Sequence, residues 1–243
     1  MKDAELARQL AATAGQLLVN LRLAELFKGE ALGVLGDRQA NAFIMAGLRQ
    51  HRPDDAILCE EEADDRARLG ARRIWIVDPL DGTREYGEGR ADWAVHVGLV
   101  IDGDAAIGAV ALPGLPLTLS SADVQPPPRR SAARLRLLVS RTRPAPEALA
   151  VSAALDAELV PMGSAGAKAM AVVRGEADIY LHSGGQFEWD NCAPVAVARA
   201  AGLHVSRLNG DPLRYNQADT RLPDLLVCRP ELAARVIELA ARR

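Results

Sequence analysis

Asp78 and Asp81 are separated only by Pro79 and Leu80, in the stretch Trp75-Ile76-Val77-Asp78-Pro79-Leu80-Asp81-Gly82-Thr83-Arg84-Glu85-Tyr86. A tight turn brings two such carboxylates into one small volume, where their repulsion needs an offset, and a divalent cation is the usual one. Gly82 and Thr83 follow with a backbone free to curl. A helix starting there would leave unpaired N–H groups that seat a phosphate oxygen. Metal and anion would then meet at one spot. The same residues also read as an ordinary surface turn, since Asp, Pro and Gly are common turn formers.

Several elements must position these groups. The apolar run before Asp78 predicts a buried strand, and Pro79 with Gly82 predicts that the chain leaves it at once. Upstream, Ile57-Leu58 predicts a strand that delivers the acidic run from Glu60 to Asp65; downstream, Glu188-Trp189-Asp190 opens an apolar helical segment whose Trp189 would orient Asp190. Ala7, Leu10, Ala11, Ala14, Leu17, Leu18 and Leu21 follow the helical period, so a scaffold helix spans about 4–26. Lys28 to Gly36 carries three glycines and predicts a loop. Asp37 precedes a second amphipathic segment ended by Pro53, which makes it an N-cap worth about 1 kcal/mol.

Trp93 to Ile101 and Ile107 to Leu112 predict two antiparallel strands joined through Asp102-Gly103, with His96 a packed histidine inside the first. Three consecutive prolines, Pro126 to Pro128, cannot join a sheet ladder and mark a linker over 126–130 between units 1–125 and 131–243. The second unit alternates strand and helix, an α/β pattern: strands at 135–139, 158–160, 178–181 and 225–228, helices at 147–155, 164–174, 190–201 and 231–242.

With 49% apolar residues the chain can bury a core, and a net charge of -3 argues against a nucleic-acid polymer as partner. No apolar run approaches the ~18 residues of a membrane span, and the amino terminus reads as a polar helix rather than a signal peptide, so a cytoplasmic protein with no membrane partner is expected. Cys59, Cys192 and Cys228 are far apart and form no metal or disulfide pattern; buried, inert thiols are expected.

Taken together, the acidic run at Glu60, the Asp78 to Tyr86 stretch and Glu188-Trp189-Asp190 resemble the signature of the inositol monophosphatase superfamily of Mg²⁺-dependent, lithium-sensitive phosphatases, from Asp37 to Tyr215. The Asp-Gly-Thr-basic-Glu-aromatic form of Asp81 to Tyr86 is similar to the CysQ-type branch, the 3'(2'),5'-bisphosphate nucleotidases. The resemblance implies an α/β (α+β) fold, a layered αβαβα sandwich with an antiparallel sheet in the N-terminal half and a second, mixed sheet in the C-terminal half. It implies two or three Mg²⁺ ions held by Glu61, Asp78, the Leu80 carbonyl, Asp81 and Asp190, with Glu60 the less favoured alternative to Glu61. Asp37 and Thr83 would be catalytic, the aspartate orienting the threonine.

Substrate would meet the Gly82 and Thr83 amides, Ser140, Arg143, Gly163, Ser164, Lys168 and His182. Arg143 stands where many branch members have histidine, and His182 where many have arginine. Either could meet a second phosphate, His182 only when protonated. The implied partner is a small phosphate monoester, a nucleotide bisphosphate above all, with inositol 1-phosphate or fructose 1,6-bisphosphate as alternatives of the same chemistry. The family includes both monomers and dimers, which leaves a homodimer open. A non-catalytic reading, Ca²⁺ or a partner bound on the Glu60 to Asp65 face, fits less well, because the carboxylates at 61, 78, 81 and 190 each fall at a predicted element end.

Overall fold

The computed structural model describes residues 1–64, 66–128 and 134–241. Two long helices open the chain, α1 (Asp3–Leu23) and α2 (Gly29–His51). Strand β1 (Ala56–Cys59) precedes β2 (Arg73–Asp81), the short helix α3 (Thr83–Gly87) and the strands β3 (Ala94–Ile101), β4 (Asp104–Leu112) and β5 (Leu117–Ser120). The second half runs β6 (Arg136–Ser140), α4 (Pro146–Leu155), β7 (Glu158–Met162), α5 (Ala165–Val173), β8 (Ile179–Phe187), α6 (Glu188–Ala200), β9 (His204–Ser206), β10 (Arg221–Cys228) and α7 (Ala233–Ala240).

The elements stack in five layers. Helices α1 and α2 cover one face of a sheet of order β1-β2-β3-β4-β5, and α5 and α6 cover the other. Those two inner helices also pack on a second sheet of order β7-β6-β8-β10-β9, whose far face carries α4 and α7. This is the αβαβα sandwich that the resemblance implies. The first sheet is antiparallel except for β1, which runs parallel to β2, and the second is mixed. Because both faces of the first sheet are covered, every residue of β2 from Ile74 to Asp81 is buried, which is why its sequence is a continuous apolar run without alternation. One hydrophobic cluster joins Ile74, Ile76 and Val110 to Tyr180, Ala193 and Leu225, across the two halves. Among the described residues, no helix is long and apolar enough to cross a membrane.

Three local predictions change. Gly29 to Gly36 is helix, and Asp37 sits inside α2 rather than capping it; the N-cap is Lys28. The glycines that suggested a loop serve close packing: a Cβ at Gly33 would stand 2.7 Å from Thr83 Cγ2, and one at Gly36 would stand 2.9 Å from Tyr86. Each glycine costs a helix about 1 kcal/mol against alanine, which the resulting tertiary contact offsets. Strand β2 also does not end at Pro79 but continues to Asp81. The short strands β5 and β9 were not anticipated; three or four residues with partial burial carry too little periodicity to see. The last part of the 126–130 linker, the end of the predicted helix at Arg242, and Asp65 of the acidic run lie outside the described residues.

Candidate active site

Asp78 and Asp81 are three residues apart, and in a regular strand that odd separation would point them to opposite faces. The ladder with β3 removes the difficulty. Asp78 pairs with His96 and Asp81 with Ala94, so three steps on β2 oppose two on β3. One extra residue, at the Pro79-Leu80 segment that lacks a proline N–H, makes a bulge and returns both carboxylates to one side. Asp190 joins them from the first turn of α6, and one oxygen of each of the three carboxylates lies within 4.8 Å of the others.

Helix α6 reaches that position because the strands beneath it are bare. Gly98 and Gly108 are cross-strand partners, and a Cβ on Gly108 would stand 2.3 Å from the Ala193 carbonyl oxygen. At its start, the Asp190 carboxylate accepts the Phe187 amide at 2.6 Å, and the Phe187 and Trp189 rings stack with centroids 4.8 Å apart.

Asp81 is the most heavily held of the three. Its Oδ1 accepts the Ala165 amide at 3.1 Å; its Oδ2 accepts the Gly166 amide at 2.6 Å and the Ser164 hydroxyl at 2.5 Å. His96 Nε2 lies 3.2 Å from the same Oδ2, while His96 Nδ1 stands 3.0 Å from the Trp189 carbonyl. Burial alone would raise this carboxyl, but the His96 charge, then the hydrogen bonds from His96, Ser164 and Gly166, pull it down to about 2. The N-terminus of α5 is thus occupied by a carboxylate of the protein. A carboxylate offers about four lone-pair sites, so Oδ1, with one donor, keeps one for a cation.

This arrangement alters the predicted substrate contacts. Ser164 caps α5 and binds Asp81. Lys168 is buried, not a solvent-exposed lysine: its Nζ donates to the carbonyls of Ser164 at 2.6 Å, Gly163 at 2.9 Å and Met162 at 3.4 Å. Burial first, against the charges of Asp81 and Glu85, lowers it to about 8. The Gly163 amide goes to Asp92 at 2.6 Å. Ser164 therefore holds Asp81, while Lys168 and the Gly163 amide fasten the turn that leads into α5.

Asp37 and Thr83 meet as a pair. Thr83 Oγ1 lies 3.0 Å from the Leu80 carbonyl and 3.3 Å from Asp37 Oδ2, while Asp37 Oδ1 is buried with no hydrogen-bond partner. Burial, then the charges of Glu61 and Glu60, push Asp37 up to about 8. Burial, then the charge of Asp81, raises Glu60 above the ordinary carboxylate range. Glu60 and Glu61 both leave β1 in a turn beside this cluster, and the charges of both reach Asp37. Burial and the charges of Glu60, Asp81 and Asp190 hold Asp78 well above the ordinary carboxylate range, and burial with the Asp81 charge raises Asp190 to about 7.

A site of carboxylate oxygens forced to share protons, beside an unpartnered carboxylate oxygen, fits a hard divalent cation. Such an ion would take the place of those protons. The donors are all oxygen; His96 faces Asp81 and the Trp189 carbonyl.

Asp81 and Asp190 line a cavity of about 650 Å³ together with Thr83, Arg84, Arg141, Arg143, Lys168 and His182. Ser140 Oγ accepts the Arg143 amide at 3.2 Å, and the Arg143 side chain is exposed. His182 is buried, with Nε2 2.8 Å from the Gly184 carbonyl; burial lowers it to about 4, so near neutral pH it carries no charge for a phosphate. Arg141 was not anticipated. It bridges Glu85 and Glu88 of the α3 region, each at 2.6 Å, and an arginine beside two glutamates far away in sequence leaves no local signal. Cys59, Cys192 and Cys228 are buried.

Comparison with known proteins agrees with this geometry. The model of the inositol monophosphatase family matches residues 4–242. A Mycobacterium leprae protein named 3'-phosphoadenosine 5'-phosphate phosphatase is 49% identical over 96% of this chain and 91% of its own. The 3'(2'),5'-bisphosphate nucleotidase CysQ of Escherichia coli is 33% identical over 76% of this chain and 80% of its own. Among solved structures, CysQ from Bacteroides thetaiotaomicron superposes with a TM-score of 0.82 at 26% identity, covering 93% of this chain and 97% of that one. With the five-layer fold, the acidic triad and these relatives in agreement over nearly its whole length, the chain belongs to the inositol monophosphatase family.

Proposed function

We propose that this chain is a Mg²⁺-dependent phosphomonoesterase that removes the 3'-phosphate of adenosine 3',5'-bisphosphate, and also accepts 3'-phosphoadenylyl sulfate. The observation that carries the reading is the convergence of Asp78, Asp81 and Asp190 within 4.8 Å, two of them lining a cavity that also holds arginines. The names of the relatives above support the nucleotide as substrate.

Glu61, with Glu60 as the alternative, and Asp78, the Leu80 carbonyl, Asp81 and Asp190 would hold the ions. Bound Mg²⁺ supplies charge neutralisation for the phosphate and a lowered pKa for water. The chain's own groups do the rest. Thr83 Oγ1 has one proton and two oxygen acceptors, Leu80 O and Asp37 Oδ2, so its remaining lone-pair capacity faces an attacking water. Asp37 would orient that hydroxyl towards the water. The Gly82 and Thr83 amides, at the start of α3, would bind phosphoryl oxygens, and Asp190 would face the leaving oxygen.

The test is phosphate release with Mg²⁺ from adenosine 3',5'-bisphosphate, inositol 1-phosphate and fructose 1,6-bisphosphate in parallel, each repeated with Li⁺. The nucleotide should give the highest kcat/KM, and Li⁺ should inhibit. A higher kcat/KM for inositol or sugar phosphate would move the substrate assignment while leaving the metal chemistry; indifference to Li⁺ would count against the mechanism.

A further inference from the structure

Strand β8 breaks its own geometry near the cavity. Gly184 and Gly185 have φ of +71° and +72°, a left-handed backbone that side chains strain to adopt. The ladder with β10 shifts there: Ser183 pairs with Asp224 and Gln186 with Leu222, three steps against two. This is a second bulge, and it is built from glycine. Its carbonyl is held from two sides, by His182 Nε2 at 2.8 Å and Arg143 Nη2 at 3.4 Å from Gly184 O.

The two glycines differ in their surroundings. A Cβ on Gly184 would meet nothing within 4 Å. A Cβ on Gly185 would stand 2.4 Å from Arg143 Nη2, 3.1 Å from Cζ and 3.2 Å from Nη1. The flat guanidinium therefore lies against the bare backbone at Gly185, with its base fixed by the Arg143 amide on Ser140 Oγ. Gly185 and Arg143 both line the cavity that contains Asp81 and Asp190. Arg143's one recorded side-chain hydrogen bond is the long one to Gly184, which leaves donors for an anion.

We infer that Gly185 is a specificity-determining positioning residue: its missing Cβ seats the Arg143 guanidinium over the β8 bulge, where it receives the second, non-reacting phosphate of a nucleoside bisphosphate. This deepens the proposed function and rests on it. A methyl group at Gly185 adds the strain of a side chain at φ +72°, which Gly184→Ala shares, and in addition displaces the flexible end of Arg143, so the difference between the two variants reports that contact. The bidentate fork of arginine, with its permanent charge, suits a phosphate that is held and not cleaved.

The experiment compares kcat and KM for adenosine 3',5'-bisphosphate and adenosine 3'-monophosphate in the wild type, Gly185→Ala, Gly184→Ala and Arg143→Lys. Gly184→Ala carries the same backbone strain without the contact. Gly185→Ala should lower kcat/KM for the bisphosphate about tenfold, chiefly through KM, and change the monophosphate by less than about twofold. Gly184→Ala should keep the wild-type ratio of the two substrates. Arg143→Lys, which keeps the charge but not the planar fork, should lose the ratio to a similar degree, and this arm stands even if Gly185→Ala does not fold. In an Arg143→Gln background, Gly185→Ala should have no further effect on the ratio. Equal losses on both substrates, a loss in Gly184→Ala matching that in Gly185→Ala, or an unchanged ratio in Arg143→Lys would each overturn the inference. A wild type that hydrolyses the bisphosphate no better than the monophosphate would overturn it together with the substrate assignment, whereas a selective wild type with an equally selective Gly185→Ala would overturn the inference alone.

Discussion

The two ends of the cavity are built in opposite ways. At the acidic end, Asp78, Asp81 and Asp190 are buried or nearly so, and every one is tied to backbone: Asp78 to the Leu80 amide, Asp81 to the first turn of α5, Asp190 to the Phe187 amide. At the cationic end, Arg84 and Arg143 are exposed, and Arg143 leans on a bulge with one long hydrogen bond. Like charges packed at low dielectric need fixed partners, whereas a guanidinium in water keeps its charge without help. On the proposed function, the reaction chemistry would rest on groups tied to backbone, and substrate choice on a loop and a strand irregularity that can change without disturbing them. Substitutions at the acidic end should reduce turnover of every substrate alike, and those at the cationic end should change only the ratio between substrates.

The largest effect is expected from Asp81→Asn. An amide cannot accept the Ala165, Gly166, Ser164 and His96 contacts and also supply an anionic ligand, so kcat should fall on the order of 10³-fold for all phosphate esters. Circular dichroism should still report the folded protein. A variant retaining most of its activity on any ester would break the comparison at its acidic end.

Thr83→Val should follow, at about 10²-fold in kcat with KM little changed, because it removes the hydroxyl between Leu80 O and Asp37 without removing a carboxylate. Steady-state kinetics on two different esters would sharpen the point if both lose the same factor.

Glu60 and Glu61 separate next. Glu61→Gln should raise the Mg²⁺ concentration for half-maximal activity about tenfold if it is the ligand, and Glu60→Gln should do so if the role is instead that of the glutamate raised by the Asp81 charge. A Mg²⁺ titration with the larger rise in Glu60→Gln would move the role to Glu60.

The smallest effect concerns stability. Without metal, folded Asp37 at about 8 and Asp190 at about 7 hold protons that the unfolded chain, with carboxyls near 3.8, has already released. The folded state binds more protons across that interval, so metal-free stability should fall as pH rises from about 4 towards 8. Mg²⁺ should therefore raise Tm more at about pH 8.5 than at about pH 6, by roughly 5 °C. Differential scanning fluorimetry with and without a chelator measures this; an equal Mg²⁺ effect at both pH values would show that the carboxylates are not forced to share protons.

Much of this molecule was legible in one dimension. The helical period of α1, the continuous apolar run of β2 and the Asp102-Gly103 turn between β3 and β4 are local patterns, and short-range sterics and burial enforce them whatever surrounds them. The Asp78 to Tyr86 stretch likewise announces its chemistry, because two carboxylates and a glycine within a few residues have few uses. Other features depend on partners far away in sequence. Whether Lys28 to Gly36 was loop or helix turned on what Gly33 and Gly36 would touch, and those contacts, Thr83, Leu18 and Tyr86, exist only after folding. The employment of Ser164 on Asp81, and of Lys168 on the carbonyls before α5, turned on where α5 docks. Sequence determined the elements and the reactive groups, since both follow from neighbouring residues; tertiary structure decided which groups meet, since a carboxylate's charge, partner and pKa are properties of the space around it and not of the chain that carries it.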